Sequence, residues 1–236
     1  MEQGGRLRFE GVLLDLFGTL VPAGPRVSRA PHLYEMARTL GADPRRFERD
    51  WAQSFAERVL GQFGTLEETV VSIAARQRVT PSADAVRRAT EVRLAFSKST
   101  LESCGPVLPG LDALVKAGLG LAVVSDCSEE PPRLWSSTPL GSRIHATVFS
   151  CEEGFCKPDP RMYQLALRKL GLPASRCAFV GDGGSRELTG ATAVGLSAYL
   201  YRFPGDDGRP DVRYDPDTGW TGPALRNLAD LLHPAR

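Results

Sequence analysis

A small set of carboxylate, hydroxyl and amino side chains in this sequence lies beside short apolar segments. The set consists of Asp15, Ser125, Asp126, Lys157, Asp182 and Glu187. Carboxylates gathered in one place repel each other and need a compensating positive charge. A lysine supplies one such charge, and a divalent metal held by oxygen ligands would supply more. The residue types therefore predict a metal-binding site with an acidic and a hydroxyl component, if the fold brings these side chains together.

The segments beside these residues have the composition of buried β-strands alternating with helices. Five segments read as strands, namely 11–17, 119–125, 146–149, 177–180 and 196–201. The stretch Pro160–Leu170 reads as an amphipathic helix that ends at Gly171. Apolar strands alternating with helices indicate a parallel sheet covered on both faces, so we predict an α/β, Rossmann-like core. In such sheets ligands bind beyond the carboxyl ends of the strands, which is where the polar side chains fall.

Between the first strand and the second lies a long stretch with helical periodicity. Phe47, Trp51, Phe55 and Val59 recur every four residues behind Asp43 and Pro44, an N-cap and a first helical residue. Thr65 to Glu68 reads as a capping box, and Ser82 as the cap of a further helix. We therefore predict a core formed by residues 1–22 and 104–236, with an α-helical insertion at 23–103. A last helix is expected at Pro223–His233.

Composition excludes several classes of protein. The 236 residues carry 29 Lys plus Arg against 28 Asp plus Glu, a net charge of +1, so no basic excess exists to bind nucleic acid. Residues Met1 to Gly5 lack a basic start and an apolar run, and no apolar stretch reaches the ~20 residues of a membrane span. Five cysteines without a C-x-x-C spacing and three histidines argue against zinc. We expect a cytoplasmic protein with reduced thiols. The oligomeric state stays open, with a homodimer as one option.

Four ordered motifs carry a resemblance to a known family. They are Asp15-Leu16-Phe17-Gly18-Thr19-Leu20, Ser125, Lys157-Pro158-Asp159-Pro160 and Gly181-Asp182 followed by Glu187-x-x-Gly190-Ala191. Together they resemble the motifs of the haloacid dehalogenase-like hydrolases over nearly the whole chain. The helical insertion resembles the cap domain of that family.

This resemblance implies a role for each residue. Asp15 would be the nucleophile and form a covalent aspartyl intermediate. Ser125 would hydrogen-bond the transferring group, and Lys157 would neutralise charge on the nucleophile. Asp15, the main-chain carbonyl of Phe17 and Asp182 would hold Mg²⁺, and Glu187 would support the metal directly or through water. The remaining contacts to a small phosphorylated substrate are expected from Gly18, Thr19 and Asp126.

One residue departs from the pattern of the family's phosphatases. They usually have a second Asp two residues after the nucleophile, which serves as general acid and base, and this chain has Phe17 there. The family's dehalogenases carry an aromatic residue at this position, because a departing halide needs no proton. Asp182 and Glu187 indicate a metal site instead, which those dehalogenases lack. The sequence thus favours a Mg²⁺-dependent phosphatase, with a 2-haloacid dehalogenase and a weakly active ligand-binding relative as alternatives. It does not identify the substrate.

Overall fold

The computed structural model describes residues 7–23, 30–206 and 215–232. Its centre is a five-stranded sheet with the order β3-β2-β1-β4-β5, in which every neighbouring pair is parallel. The strands are β1 (Gly11–Leu14), β2 (Gly120–Ser125), β3 (Ala146–Phe149), β4 (Cys177–Gly181) and β5 (Ser197–Leu200). All five predicted strands are present, and the first is three residues shorter than expected. The predicted α/β class is confirmed.

Helices precede and follow the strands of the sheet. The α-helices are α1 (Ala30–Leu40), α2 (Pro44–Gln53), α3 (Phe55–Val59), α4 (Leu66–Ala75), α5 (Ala83–Glu102), α6 (Leu108–Lys116), α7 (Glu130–Leu134), α8 (Ser150–Glu153), α9 (Pro160–Leu170) and α10 (Glu187–Val194). Helix α9 has the predicted bounds, and Gly171 follows it in the left-handed conformation with φ 68°. None of the helices in the described ranges is long and apolar enough to cross a membrane.

The two faces of the sheet bury separate hydrophobic clusters, as expected for strands that are apolar throughout. Val12 and Leu14 of β1 belong to one cluster, which includes Leu111 of α6. Leu13, which points to the opposite face, belongs to a second cluster that includes Met162 of α9. Helices therefore cover both faces, and β1, paired with β2 and β4, is central and fully buried.

Helices α1 to α5 occupy residues 30–102, called here the helical segment, and α1, α2, α4 and α5 pack around a third hydrophobic cluster. The predicted N-caps are present. Asp43 accepts a hydrogen bond from the Arg46 main-chain N–H, Ser82 caps α5, and Thr65 forms a capping box with Glu68. The boundaries predicted for a separate domain, at residues 23 and 103, stay a prediction.

The residues of the apolar four-residue repeat lie on two successive helices. Helix α2 ends at Gln53 and α3 begins at Phe55. The Ser54 hydroxyl between them donates to the Trp51 carbonyl at 2.9 Å. This side-chain hydrogen bond competes with the main-chain hydrogen bonds that would continue the helix. Val59 is buried all the same, whereas Phe55 is only half-buried.

Several polar contacts between the helical segment and the sheet region fall on one short stretch of chain. Arg58 of α3 approaches the Ser128 hydroxyl at 3.5 Å, and Arg93 of α5 forms a buried ion pair with Glu130. Arg133 pairs with Glu67 at 3.0 Å. Because residues 128–133 directly follow β2, the helical segment lies against the carboxyl end of that strand.

The prediction of a C-terminal helix at Pro223–His233 is wrong for the residues that the structure describes. A 3₁₀ helix spans Leu228–Leu232, and His233 lies outside the described residues. The residues before it are held along β5, because Leu200 donates to the Pro223 carbonyl at 2.9 Å and accepts from the Leu225 N–H at 2.8 Å. Backbone groups used at the sheet edge are not available for helical hydrogen bonds.

Candidate active site

Three strand ends place polar side chains at the same edge of the sheet. Asp15 directly follows β1, Ser125 is the last residue of β2, and Asp182 directly follows β4. The Asp15 N–H donates to the Val180 carbonyl at 2.9 Å, which ties the first of these turns to the end of β4. All three side chains are buried. The parallel sheet thus gathers residues that are far apart in sequence.

Lys157 connects two of the carboxylates. Its Nζ lies 2.5 Å from Asp15 Oδ1 and 2.5 Å from Glu187 Oε2, and the residue is 5% exposed. Burial by itself would lower the pKa of Lys157, but the carboxylates of Asp15 and Glu187 outweigh it and raise the pKa well above its ordinary value. Lys157 therefore stays protonated and supplies a fixed positive charge beside Asp15.

Asp15, Asp182 and Glu187 form a compact acidic cluster. One carboxylate oxygen from each lies within 4.8 Å of the other two, and all three residues are buried. Burial and the nearby charge of Asp15 raise the pKa of Glu187 well above its usual value. Three ionised carboxylates against one ammonium would leave an excess of two negative charges, which one divalent cation balances. A set of oxygen donors of this kind suits Mg²⁺.

Two glycines allow the close approach of these carboxylates. Gly18 has a φ of 92°, and a side chain there would collide with the Asp182 carboxylate. A side chain at Gly181 would collide with the Glu187 carboxylate. Only glycine leaves this space open, and at Gly18 it also avoids the strain of the left-handed conformation.

The loop from Gly183 to Arg186 folds back over the acidic cluster. The Gly183 N–H donates to Glu187 Oε1 at 3.0 Å, and the Gly184 N–H donates to Asp182 Oδ1 at 2.9 Å. Ser185 and Arg186 have φ values of 51° and 49°, which place two non-glycine residues in the left-handed region. The strained backbone of this turn holds Glu187 at the start of α10 with its side chain pointing back to Lys157.

Three other residues predicted for the site also lie at this edge of the sheet, and two of them hydrogen-bond to Asp15 or Lys157. The Ser125 hydroxyl is buried and has no hydrogen-bond partner among the described residues. Thr19 Oγ1 donates to Asp15 Oδ2 at 3.0 Å, and Asp126 Oδ1 accepts from the Lys157 main-chain N–H at 2.9 Å. Thr19 and Asp126 therefore orient the catalytic candidates, while the predicted substrate contacts of Gly18, Thr19 and Asp126 stay predictions.

Phe17 lies in the tight turn that follows Asp15. The turn is closed by hydrogen bonds from the Leu20 and Val21 N–H groups to the Leu16 carbonyl, at 2.8 and 3.0 Å. The half-buried Phe17 ring packs against the hydrophobic cluster of α6, so it contacts the core as well as solvent. The part assigned to its carbonyl in holding a metal stays a prediction.

Two residues that support the site were not singled out from the sequence. Tyr163 donates its hydroxyl to the Glu187 carbonyl at 2.9 Å, and Asp217 accepts from the Leu188 N–H at 2.8 Å at the start of α10. Tyr163 reads as part of the apolar face of α9, and Asp217 lies in a stretch rich in Gly, Pro and Asp. No local pattern distinguishes either residue.

The fold and the site define an α/β protein with a buried aspartate directly after its central strand. The sequence model of a family described as haloacid dehalogenase-like hydrolase matches residues 9–195. The chain belongs to this family, as its four motifs indicate.

Individual relatives match over shorter stretches. The haloacid dehalogenase-like hydrolase domain-containing protein 3 of Bos taurus is 32% identical over 102 residues, which cover 42% of this chain and 41% of the relative. A phosphoserine phosphatase of Thermus thermophilus is 27% identical over 153 residues, which cover 63% of this chain and 55% of the relative. The chain thus matches only about half the length of these two relatives.

Solved structures with the same fold cover nearly the whole chain. A 2-haloacid dehalogenase from Pseudomonas syringae pv. tomato superposes with a TM-score of 0.66 at 24% identity, covering 94% of this chain and 96% of the other. CbbY from Rhodobacter sphaeroides, solved in complex with xylulose-1,5-bisphosphate, gives a TM-score of 0.58 at 18% identity. At this identity the likeness shows the shared fold.

Proposed function

We propose that this protein is a Mg²⁺-dependent phosphatase that acts on a small phosphorylated metabolite through an aspartyl-phosphate at Asp15. The observation that carries the proposal is the buried cluster of Asp15, Asp182 and Glu187 around a single lysine. With all three carboxylates ionised, the cluster would carry an excess of two negative charges, which one divalent cation balances. The names of two relatives, a phosphoserine phosphatase and a glyceraldehyde 3-phosphate phosphatase, agree with this reaction class.

Asp15 carries out both halves of the proposed reaction. One carboxylate oxygen attacks the phosphorus atom, a P–O bond forms to Asp15, and the bond to the leaving group breaks. Water then cleaves the aspartyl-phosphate and restores the carboxylate. Thr19 and Lys157 hold the two oxygens of Asp15, at 3.0 and 2.5 Å, so the carboxylate is oriented before substrate arrives.

Other residues bind the phosphoryl group and balance its charge. Ser125 has a buried hydroxyl with no partner in the described part of the chain, which can donate to a phosphoryl oxygen. Lys157 stays protonated and faces the developing negative charge. Asp15, Asp182, the Phe17 carbonyl and Glu187 would hold Mg²⁺, which would supply positive charge to neutralise and orient the phosphate. The helical segment, which contacts the chain that follows β2, would exclude water from the site and select the substrate.

A 2-haloacid dehalogenase is the second candidate, and Phe17 is the observation that favours it. A phosphatase needs a proton for a basic leaving group, whereas a halide departs without one. The Phe17 ring cannot supply a proton, and it occupies the position where a second acid would stand. In this alternative the same Asp15 carboxylate displaces the halide from carbon.

The experiment that separates these functions measures both products in one screen. The full chain is incubated with phosphorylated metabolites and with 2-haloacids, each with MgCl₂ and with EDTA, and phosphate and halide release are recorded. Phosphate release that requires Mg²⁺ supports the proposal, and metal-independent halide release assigns the dehalogenase. Asp15→Asn should abolish either activity while circular dichroism shows an intact fold. If the folded Asp15→Asn variant kept its activity, Asp15 would not be the nucleophile.

A further inference from the structure

Two cysteines follow adjacent strands in matching positions. Ser125 of β2 and Phe149 of β3 are paired in the sheet, and Cys127 and Cys151 each lie two residues further along. The Ser150 hydroxyl joins the two segments, because it accepts from the Cys127 N–H at 3.0 Å and donates to the Cys127 carbonyl at 3.3 Å. The Cys127 main chain is therefore held beside the start of α8, which directly follows β3.

This proximity favours a disulfide bond. Cys151 follows Ser150 in the first turn of α8, and the Ser150 hydroxyl holds the Cys127 main chain at 3.0 and 3.3 Å. The Cα atoms of a disulfide are usually about 4.4–6.8 Å apart. Cys127 and Cys151 also pack in the same hydrophobic cluster, so their side chains share one environment. Burial and the neighbouring Cys151 thiol both raise the pKa of the Cys127 thiol, which is consistent with close approach of the two thiols.

We propose that Cys127 and Cys151 are a modification site, at which an oxidised low-molecular-weight thiol such as glutathione disulfide forms a reversible protein disulfide. All five cysteines are unpaired in this structure. Cys127 is 3% exposed, whereas Cys151 is half-buried and lines a small pocket with Arg58, Gly61 and Ser128. Because Cys151 is the more accessible of the two, it reacts first with glutathione disulfide, and the buried Cys127 then reacts with Cys151.

The two steps exchange disulfide bonds and consume one glutathione disulfide. The Cys151 sulfur attacks glutathione disulfide, forms a mixed disulfide, and releases one glutathione that takes the proton of the Cys151 thiol. The Cys127 sulfur then attacks the Cys151 sulfur and displaces the second glutathione, which takes the second proton. The protein loses two electrons and two protons, and glutathione disulfide gains them as it becomes two glutathione molecules.

The crosslink would join elements that position the candidate active site. Cys127 is two residues after Ser125 and directly follows Asp126, whose carboxylate holds the Lys157 N–H. On the other side, the Cys151 carbonyl packs so closely on Gly61 of the helical segment that a side chain at Gly61 would collide with it. Bond formation brings the two sulfur atoms to about 2.05 Å, closer than two separate thiols can lie, so it must shift one or both segments. A shift of 1 Å in a catalytic group can cost about 100-fold in rate, so we expect oxidation to slow turnover at least ~10-fold. This consequence rests on the proposed function, while disulfide formation does not.

The test treats the full chain with glutathione disulfide, alkylates the remaining thiols, and maps peptides by mass spectrometry without reduction. The expected product is one peptide pair joined through Cys127 and Cys151, lighter by two hydrogens, which dithiothreitol reverses. Cys151→Ser should abolish it, and Cys156→Ser, a change at the other half-buried cysteine, should leave the crosslink in place. A crosslink through Cys156, or glutathione retained on Cys151 without a link to Cys127, would overturn the proposal.

Activity is measured separately on the oxidised and reduced protein. Slower hydrolysis after oxidation, absent in Cys151→Ser, supports the regulatory consequence. Equal rates in the two forms would overturn that consequence even if the crosslink forms. If the reduced protein releases no phosphate from any substrate, the proposed function fails, and the peptide map still decides whether the cysteines are a modification site.

Discussion

Replacing Lys157 by Met would remove the positive charge at the centre of the acidic cluster and keep an apolar chain of similar length. Lys157 is 5% exposed and its Nζ lies 2.5 Å from carboxylate oxygens of both Asp15 and Glu187. Without it, Asp15, Asp182 and Glu187 would be left with oxygens within 4.8 Å of one another in a buried site. We therefore expect Lys157→Met to destabilise the fold and to abolish turnover.

The magnitude follows from the cost of an uncompensated buried charge. Removing one partner of a buried ion pair typically costs about 3–5 kcal/mol. For a chain of this size each kcal/mol lowers the melting temperature by about 2–4 °C, so a decrease of about 6–20 °C is expected. The remaining oxygens can still hold a divalent cation. MgCl₂ at about 100 times its dissociation constant would restore about 2.7 kcal/mol, and its effect should be larger in the variant than in the wild type.

Thermal denaturation with MgCl₂ and with EDTA measures these effects. Glu187→Gln introduced into the Lys157→Met variant removes one negative charge at nearly constant volume and should recover part of the stability, a coupling that a double-mutant cycle isolates. Lys116→Met changes an exposed lysine at the end of α6 and should alter stability by less than about 0.5 kcal/mol. A Lys157→Met protein that melts with the wild type, or that responds to Mg²⁺ no more strongly, would refute the proposed electrostatics of the cluster.

Three further predictions concern single side chains. Ser125→Ala removes a buried hydroxyl without a partner in the described residues, so urea denaturation should show stability unchanged or raised by up to about 1 kcal/mol. Phosphate release should fall roughly 100-fold. Comparable losses of stability and of activity would assign Ser125 a structural role. The wild-type rate of hydrolysis should depend steeply on the leaving group. Phe17→Asp should accelerate hydrolysis of alkyl phosphates about 10- to 100-fold and that of aryl phosphates little. Equal wild-type rates on alkyl and aryl phosphates would show that another residue supplies the proton. Burial alone would raise the pKa of Glu130, but Arg93 and Arg58 lower it from 4.5 to about 2. The ionised Glu130 therefore contributes about 3 kcal/mol to the free energy of unfolding above pH 4.5, and this contribution is lost as the pH falls toward 2. The difference in stability between wild type and Glu130→Gln should close over that range, and a difference independent of pH would contradict this prediction.

The amino-acid sequence by itself determines the sheet and the place of the chemistry. Strands that are apolar on both faces must be covered by helices on both sides, and this requirement follows from composition alone. In a parallel sheet all carboxyl ends lie at one edge, so Asp15, Ser125 and Asp182 could be assigned to one site before their contacts were known. The N-caps at Asp43, Thr65 and Ser82 are local as well, because a capping side chain binds backbone groups two or three residues away.

The tertiary structure alone decides how the charges are paired and where local patterns give way. Lys157 contacts Asp15 across 142 positions of sequence. Tyr163 and Asp217 reach α10 from other elements, and the extended chain before Leu228 is held by the edge of β5 instead of forming a helix. Periodicity and capping report interactions between near neighbours in sequence, whereas the pairing of buried charges and the use of backbone groups at a sheet edge depend on which distant segments the fold brings into contact.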